Sequence, residues 1–151
     1  MDDMIRLHAS CVAIGSRGVL LMGESGAGKS DLALRLIDRG AKLVADDQVE
    51  LVGKGRKLIA GAHKRIEGLI EVRGVGIFKV EKKKAAPLFL VVQLSSREWI
   101  ERLPHPEPYA CLGRQVPQLR LCAFEPSAAI KVEMAVHALK DGSMTVGALK
   151  E

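Results

Sequence analysis

The chain has few aromatic residues and few cysteines, and both shortages limit what it can do. Only five of its 151 residues are Phe, Tyr or Trp, which leaves little surface for stacking nucleic-acid bases. We therefore expect no nucleic-acid partner, although the net charge is +5. The three cysteines, Cys11, Cys111 and Cys122, form no CxxC pair. This spacing predicts reduced thiols, no zinc site and a cytoplasmic protein.

Long apolar runs are also lacking. No segment reaches the length of a membrane span, and the first four residues are acidic where a signal peptide would be basic. We expect no membrane contact. A chain of 151 residues with 48% apolar content predicts one domain, spanning residues 1–151, with a sizeable core.

The most specific motif is a glycine-rich loop between an apolar run, 19–22, and an amphipathic segment, 31–39. It fits the pattern G-x-x-x-x-G-K-[ST], in which backbone N–H groups surround phosphates, the lysine reaches the β- and γ-phosphates and the hydroxyl binds Mg²⁺. The nucleotide-binding residues predicted from it are Gly23, Glu24, Ser25, Gly26, Ala27, Gly28, Lys29 and Ser30.

Two further segments carry acidic or basic groups suited to the same chemistry. Asp46 and Asp47 end an apolar strand that follows the loop helix, so one can face the metal and the other the phosphoryl acceptor. Glu71 and Arg73 lie beside two glycines; the carboxylate can bind Mg²⁺ and the guanidinium can bind phosphate.

Strand patterns outnumber helix patterns along the rest of the chain, which predicts a strand-rich α/β fold with few helices. Prolines at 104, 106, 108 and 117 predict an irregular stretch, and Ser127 is expected to cap a closing helix, 128–140. A lysine run at 82–84 predicts a solvated turn. Strands are predicted at 7–14, 18–22, 42–45, 48–52, 57–60, 76–80, 88–94 and 119–124, and the segment 66–72 is left open.

Together, these segments resemble the catalytic domain of HPr kinase/phosphorylase, the bacterial enzyme that phosphorylates a serine of the phosphocarrier protein HPr. The matching segments are 23–30, 39–47 and 71–77, with Leu7-His8-Ala9 at the family's usual distance before the loop lysine. The resemblance implies a phosphate-loop kinase domain related to phosphoenolpyruvate carboxykinase. It also implies ATP and Mg²⁺ as cofactors, HPr as partner and a homo-oligomer, a hexamer in the family.

The resemblance also implies roles for single residues. Lys29 and the loop amides would hold the ATP phosphates, Ser30 and Glu71 would bind the metal, and His8 matches the active-site histidine. One of Asp46 and Asp47 would take the proton from the acceptor serine. Counting from Lys29 favours Asp47, but both aspartates stay candidates. Arg73 belongs to the predicted catalytic set.

The chain departs from the family pattern in three places. It begins at the catalytic domain without the N-terminal domain of larger members, and it stops at Glu151 before their longer helical end. The family's Pro-Gly-Arg-Asn turn has as its counterpart 126–129, which contains no arginine, although Arg114 or Arg120 could replace it. We therefore expect kinase activity with weak phosphorolysis. A small-molecule phosphotransferase and a non-catalytic nucleotide-binding module are the alternatives.

Overall fold

The structure, a computed structural model, describes residues 3–150. Met1 and Asp2, half of the acidic start used above, lie outside the described residues, as does Glu151. The strands are β1 Met4–Leu7, β2 Ser10–Ile14, β3 Arg17–Met22, β4 Lys42–Ala45, β5 Val49–Lys54, β6 Lys57–Gly61, β7 Leu69–Val72, β8 Gly76–Lys79, β9 Ala85–Leu94, β10 Tyr109–Cys111, β11 Arg114–Val116 and β12 Gln118–Leu121. The α-helices are α1 Lys29–Asp38 and α2 Ala128–Asp141, and 3₁₀ turns cover Lys64–Ile66 and Arg97–Trp99.

One large sheet organises the molecule, with strand order β1-β5-β6-β9-β3-β2-β4 and β12 paired to the second half of β9. Strands β3 and β9 are parallel, as are β9 and β12. Strand β2 is antiparallel to both β3 and β4, so β4 runs in the same direction as β3. The carboxyl ends of β4, β3, β9 and β12 therefore meet at one edge of the sheet, which we call the carboxyl edge.

Apolar side chains cover both faces of this sheet, as expected for strands buried on two sides. Both helices pack on one face, where Leu32 and Leu36 of α1 and Val132 of α2 are fully buried against the strands. The other face buries a second cluster that includes Cys11, Val44 and Leu51. The two clusters pack β3, α1 and β4 together, and these elements flank the glycine-rich loop and the aspartate pair.

The strand-rich α/β prediction with few helices is confirmed. The predicted strands around 18–22, 42–45, 48–52, 57–60 and 88–94 are present, and α1 and α2 lie where the patterns predicted helices. The segment 66–72, left open above, contains β7. The lysines at 82–84 lie between β8 and β9, where Lys82 pairs with Glu67 at 2.7 Å.

Two local predictions were wrong, and a third was right only in position. The segment 7–14 is not one strand, because the chain breaks at His8 and Ala9 so that β1 pairs with β5 while β2 pairs with β3. The proline-containing stretch includes a short hairpin, β10–β11, since its prolines lie outside the paired residues. Ser127 occupies the N-cap position of α2, but its side chain makes no capping hydrogen bond.

A separate hairpin, β7–β8, carries Glu71 and Arg73. All four residues of β8 are exposed, including Ile77 and Phe78. Across residues 3–150, no helix is long and apolar enough to cross a membrane.

Candidate functional site

The glycine-rich loop connects the end of β3 to the start of α1 at the carboxyl edge. Gly28, the residue before the helix, has a left-handed backbone with φ of 96°. A Cβ added there would lie 2.7 Å from the Cβ of Ala123. Glycine is therefore required at this position twice over, by backbone conformation and by close packing. It also leaves the first turn of α1 without a side-chain cap, so its N–H groups are open to an external acceptor.

Lys29 places its charge inside the loop. The residue is only 8% exposed, and its Nζ donates hydrogen bonds to the carbonyl oxygens of Gly23 at 2.6 Å and Glu24 at 3.0 Å. Carbonyl groups satisfy N–H donors but leave the positive charge in place. Together with the positive end of the α1 dipole, Lys29 therefore gives the loop a positive field suited to an anion.

Asp46 is fixed by three hydrogen bonds beside the loop. Its Oδ1 accepts from the hydroxyls of Ser30 at 2.7 Å and Ser10 at 2.9 Å, and its Oδ2 accepts from the backbone N–H of Glu71 at 3.3 Å. The side chain is 8% exposed. The Asp46 carboxylate thus links the glycine-rich loop, β2 and the β7–β8 hairpin through hydrogen bonds.

Asp47 points away from this cluster toward solvent and His8. Its Oδ1 lies 2.6 Å from Nε2 of His8, and the two side chains are 72% and 61% exposed. Strand β4 ends at Ala45, so the two aspartates lie in the bend after it. They diverge because Asp47 has φ of 70°, a left-handed conformation uncommon outside glycine, and not because of strand alternation.

The other predicted residues lie at different distances from this centre. Glu71 reaches it through its backbone N–H, and its side chain is exposed. Arg73 lies in the β7–β8 turn and is also exposed. In the described part of the chain it makes no hydrogen bond to the other predicted site residues. In the loop, Glu24, Ser25 and Gly26 are exposed, and the N–H of Ala27 donates to the Glu24 carbonyl at 3.0 Å.

The oxygen donors fit a magnesium ion that keeps most of its own water. Over residues 3–150, no three His, Cys, Asp or Glu side chains come together as a metal site. Mg²⁺ is usually bound by one or two carboxylates with substrate phosphates and waters, so a full protein cage is not needed. Ser30 and Asp46, 2.7 Å apart, supply a hydroxyl and a carboxylate at the loop.

Three arginines are candidates to replace the arginine that is lacking from residues 126–129, just before and at the start of α2. Arg114 donates to the carbonyls of Gly55 and Leu112, which ties it to the β5–β6 turn. Arg120 is exposed on β12 and lines a cavity of about 420 Å³ with Gln93 and Trp99. Arg35 contacts the turn between β12 and α2, where its guanidinium donates to the carbonyls of Ala123 and Glu125.

Sequence reasoning missed Ser10 and Arg35. Ser10 was visible as a polar residue within an otherwise apolar strand, and the structure buries it completely against Asp46. Arg35 gave no usable signal, because a basic residue on an amphipathic helix normally faces water.

The protein-family model of the HPr Serine kinase C-terminal domain matches residues 1–151 of this chain. The chain is also similar to the solved structure of the Hpr(Ser) kinase/phosphatase from Coxiella burnetii. The TM-score is 0.81 at 29% sequence identity, and the match covers 92% of this chain and 99% of that one.

Curated relatives have the same kind of name. The HPr kinase/phosphorylase of Caldicellulosiruptor bescii is 36% identical over 156 residues, covering 95% of this chain and 50% of the relative. That of Cupriavidus metallidurans is 38% identical over 145 residues, covering 88% of this chain and 45% of the relative. The chain thus spans about half the length of the curated relatives it matches.

Proposed function

Because the chain belongs to the HPr serine kinase C-terminal domain family, we propose that it transfers the γ-phosphoryl group of ATP to a serine of the phosphocarrier protein HPr. The observation that carries this proposal is the division of the aspartate pair. Asp46 is bound to Ser30 of the loop, whereas Asp47 faces solvent beside His8. One carboxylate can therefore serve the phosphoryl donor and the other the acceptor.

On the donor side, the loop is a phosphate loop. Its amides and Lys29 hold the phosphates, and Ser30 and Asp46 would hold Mg²⁺, with the Glu71 carboxylate as the further ligand that the family resemblance implies. When bound, Mg²⁺ would neutralise charge on the transferring group. Arg73, exposed in the β7–β8 turn, would bind a phosphate oxygen of the bound substrate through its guanidinium.

On the acceptor side, Asp47 is the general base for the serine hydroxyl. His8 holds the Asp47 carboxylate through the 2.6 Å contact and so orients it. Both side chains are exposed, so a serine hydroxyl on a protein surface can approach them from solvent.

At the level of the whole protein, the proposal includes one catalytic domain over residues 1–151, related to phosphoenolpyruvate carboxykinase and active in the cytoplasm. By family resemblance it works as a homo-oligomer, a hexamer, which light scattering of the purified chain would test. The reverse reaction, phosphorolysis of phosphorylated HPr, is the weaker direction.

The test is incubation of the chain with labelled ATP, Mg²⁺ and HPr. Label should enter wild-type HPr, and an HPr variant with its acceptor serine replaced by alanine should stay unlabelled. Label transfer to a small hydroxyl compound but not to HPr would support a small-molecule phosphotransferase. ATP binding without turnover on any acceptor would support a regulatory nucleotide-binding module.

A further inference from the structure

An exposed aromatic ring lies against the glycine-rich loop, although the chain has only five aromatic residues. Phe124 follows β12 and is 67% exposed. A Cβ added at Gly28 would lie 3.3 Å from both Cε1 and Cζ of this ring. The tip of the ring therefore borders the loop while most of its surface faces solvent. An aromatic ring beside a phosphate-binding loop offers a face on which a flat base can stack.

The backbone that carries Phe124 is held in place. Arg35 of α1 donates to the carbonyl of Ala123 and, at 3.3 Å, to that of Glu125, the two residues that flank Phe124. Asp31 in turn accepts from Nε of Arg35 at 3.1 Å. Ala123 is fully buried. The ring is thus presented from a braced turn, which reduces the entropy lost when a ligand stacks on it.

Strand order places the ring on the correct side of the loop for a nucleobase. At the carboxyl edge, β3 leads into the loop, β4 with Asp46 lies two strands away on one side, and β12 with Phe124 lies two strands away on the other. A triphosphate in the loop would direct its terminal phosphoryl group toward Ser30 and Asp46. The sugar and base, at the opposite end of the nucleotide, would then extend from the loop toward β12.

We propose that Phe124 is a stacking platform for the base of the nucleotide, a binding residue outside the glycine-rich motif. The inference rests on the proposed function, since it requires a nucleoside triphosphate in the loop. Stacking of a base on an aromatic ring tolerates different bases, so Phe124 adds affinity for nucleotides in general.

The test compares ATP with inorganic triphosphate, which has the same phosphate chain and no base. Binding of each is measured by calorimetry for wild type, Phe124→Ala, Phe124→Leu and Phe124→Trp. Leucine keeps an apolar contact with Gly28 but has no aromatic face, so it stays informative if the alanine variant folds poorly. Met134→Ala, which removes a 65% exposed side chain on α2, is the matched control.

The alanine and leucine variants should bind ATP about 5- to 150-fold more weakly, the range expected for one base stacked on one ring, with triphosphate affinity unchanged. Phe124→Trp should bind ATP as well as wild type, and so should Met134→Ala. An equal loss for ATP and triphosphate would overturn the proposal, because the ring would then act on loop shape alone. Unchanged ATP affinity in both variants would also overturn it, while leaving the proposed function intact. If wild type bound neither ligand, the proposed function itself would fail and the platform with it.

Discussion

Replacing Lys29 should strongly lower the rate of phosphoryl transfer and should change the exposed surface very little. Its ammonium group is nearly buried and contacts only loop carbonyls in the hydrogen bonds described above. Lys29→Ala should lower the rate of phosphoryl transfer by at least about 100-fold, because charge on the transferring group loses its positive partner. Lys42→Ala, at an exposed lysine that begins β4, is the control and should keep its rate. Near-normal turnover of the Lys29 variant would exclude the loop as the catalytic phosphate site.

Cys11 makes the stability of the protein depend on pH in alkaline solution. Burial raises the pKa of its thiol from 9.0 to about 12. Between these values the folded chain keeps a proton that the unfolded chain loses, so the free energy of unfolding falls as pH rises. We expect Cys11 to account for a loss of roughly 1 kcal/mol between pH 8 and pH 10.

Urea unfolding of wild type and Cys11→Ala at both pH values measures this contribution. The variant should show a smaller decrease, although Tyr109 and Cys111, whose pKa values are also raised by burial, act in the same direction in both proteins. An identical decrease in the two proteins would show that the Cys11 thiol does not ionise on unfolding in this range.

At single residues, the sequence predicted the chemical groups better than their orientation. Lys29 and Ser30 follow from a fixed motif on a strand–loop–helix unit, so their positions could be read directly. The division between Asp46 and Asp47 could not, because it depends on the left-handed backbone of Asp47 and on Ser10, which is 36 residues from Asp46 in sequence. Neither is encoded in the local pattern.

Among the elements, the glycine-rich loop depends on its contact with the turn after β12. Gly28 and Gly26 both have positive φ, 96° and 85°, but only Gly28 has neighbours where a Cβ would lie. Gly26→Ala should cost about 1 kcal/mol of stability through backbone strain. Gly28→Ala should cost about 1–3 kcal/mol more, because Ala123 and the Phe124 ring must move.

The two glycine variants form a matched pair in urea unfolding. Equal losses of stability would mean that the turn after β12 moves at no cost to accept a methyl group. The loop and the turn would then not be closely packed at Gly28.

Helices and strands were predicted correctly where a local sequence pattern defines them. They were predicted wrongly where their limits depend on which strands pair with each other. The helix after the loop has both an amphipathic period and a defined start, and α1 lies there. The break at His8 and Ala9 separates two strands of similar apolar character, and it arises because β1 and β2 pair with different partners. The β10–β11 hairpin was concealed by nearby prolines, although its own six residues contain none.

For the whole molecule, we expect forward transfer to be faster than phosphorolysis. The reverse reaction brings phosphate and a phosphoserine together, and positive groups must offset their repulsion. Arg114 is bound to the Gly55 turn and Arg35 to carbonyls, while Arg120 is exposed on β12 beside Gln93 and Trp99, so we expect none of the three to replace the arginine lacking at the start of α2. Phosphorylated HPr with excess phosphate should therefore release pyrophosphate much more slowly than HPr is phosphorylated. Equal rates in the two directions would refute this explanation.

We propose above all that the two adjacent aspartates serve opposite sides of the transferred phosphoryl group. The most direct measurement is the steady-state kinetics of HPr phosphorylation, with Mg-ATP varied, for Asp46→Asn and Asp47→Asn. Asparagine keeps the shape of both side chains and tolerates the left-handed backbone of Asp47. We predict that Asp47→Asn lowers kcat by about 100-fold or more with little change in affinity for Mg-ATP, whereas Asp46→Asn mainly weakens Mg-ATP binding. Loss of Mg-ATP affinity in Asp47→Asn, with kcat lost in Asp46→Asn instead, would contradict the account.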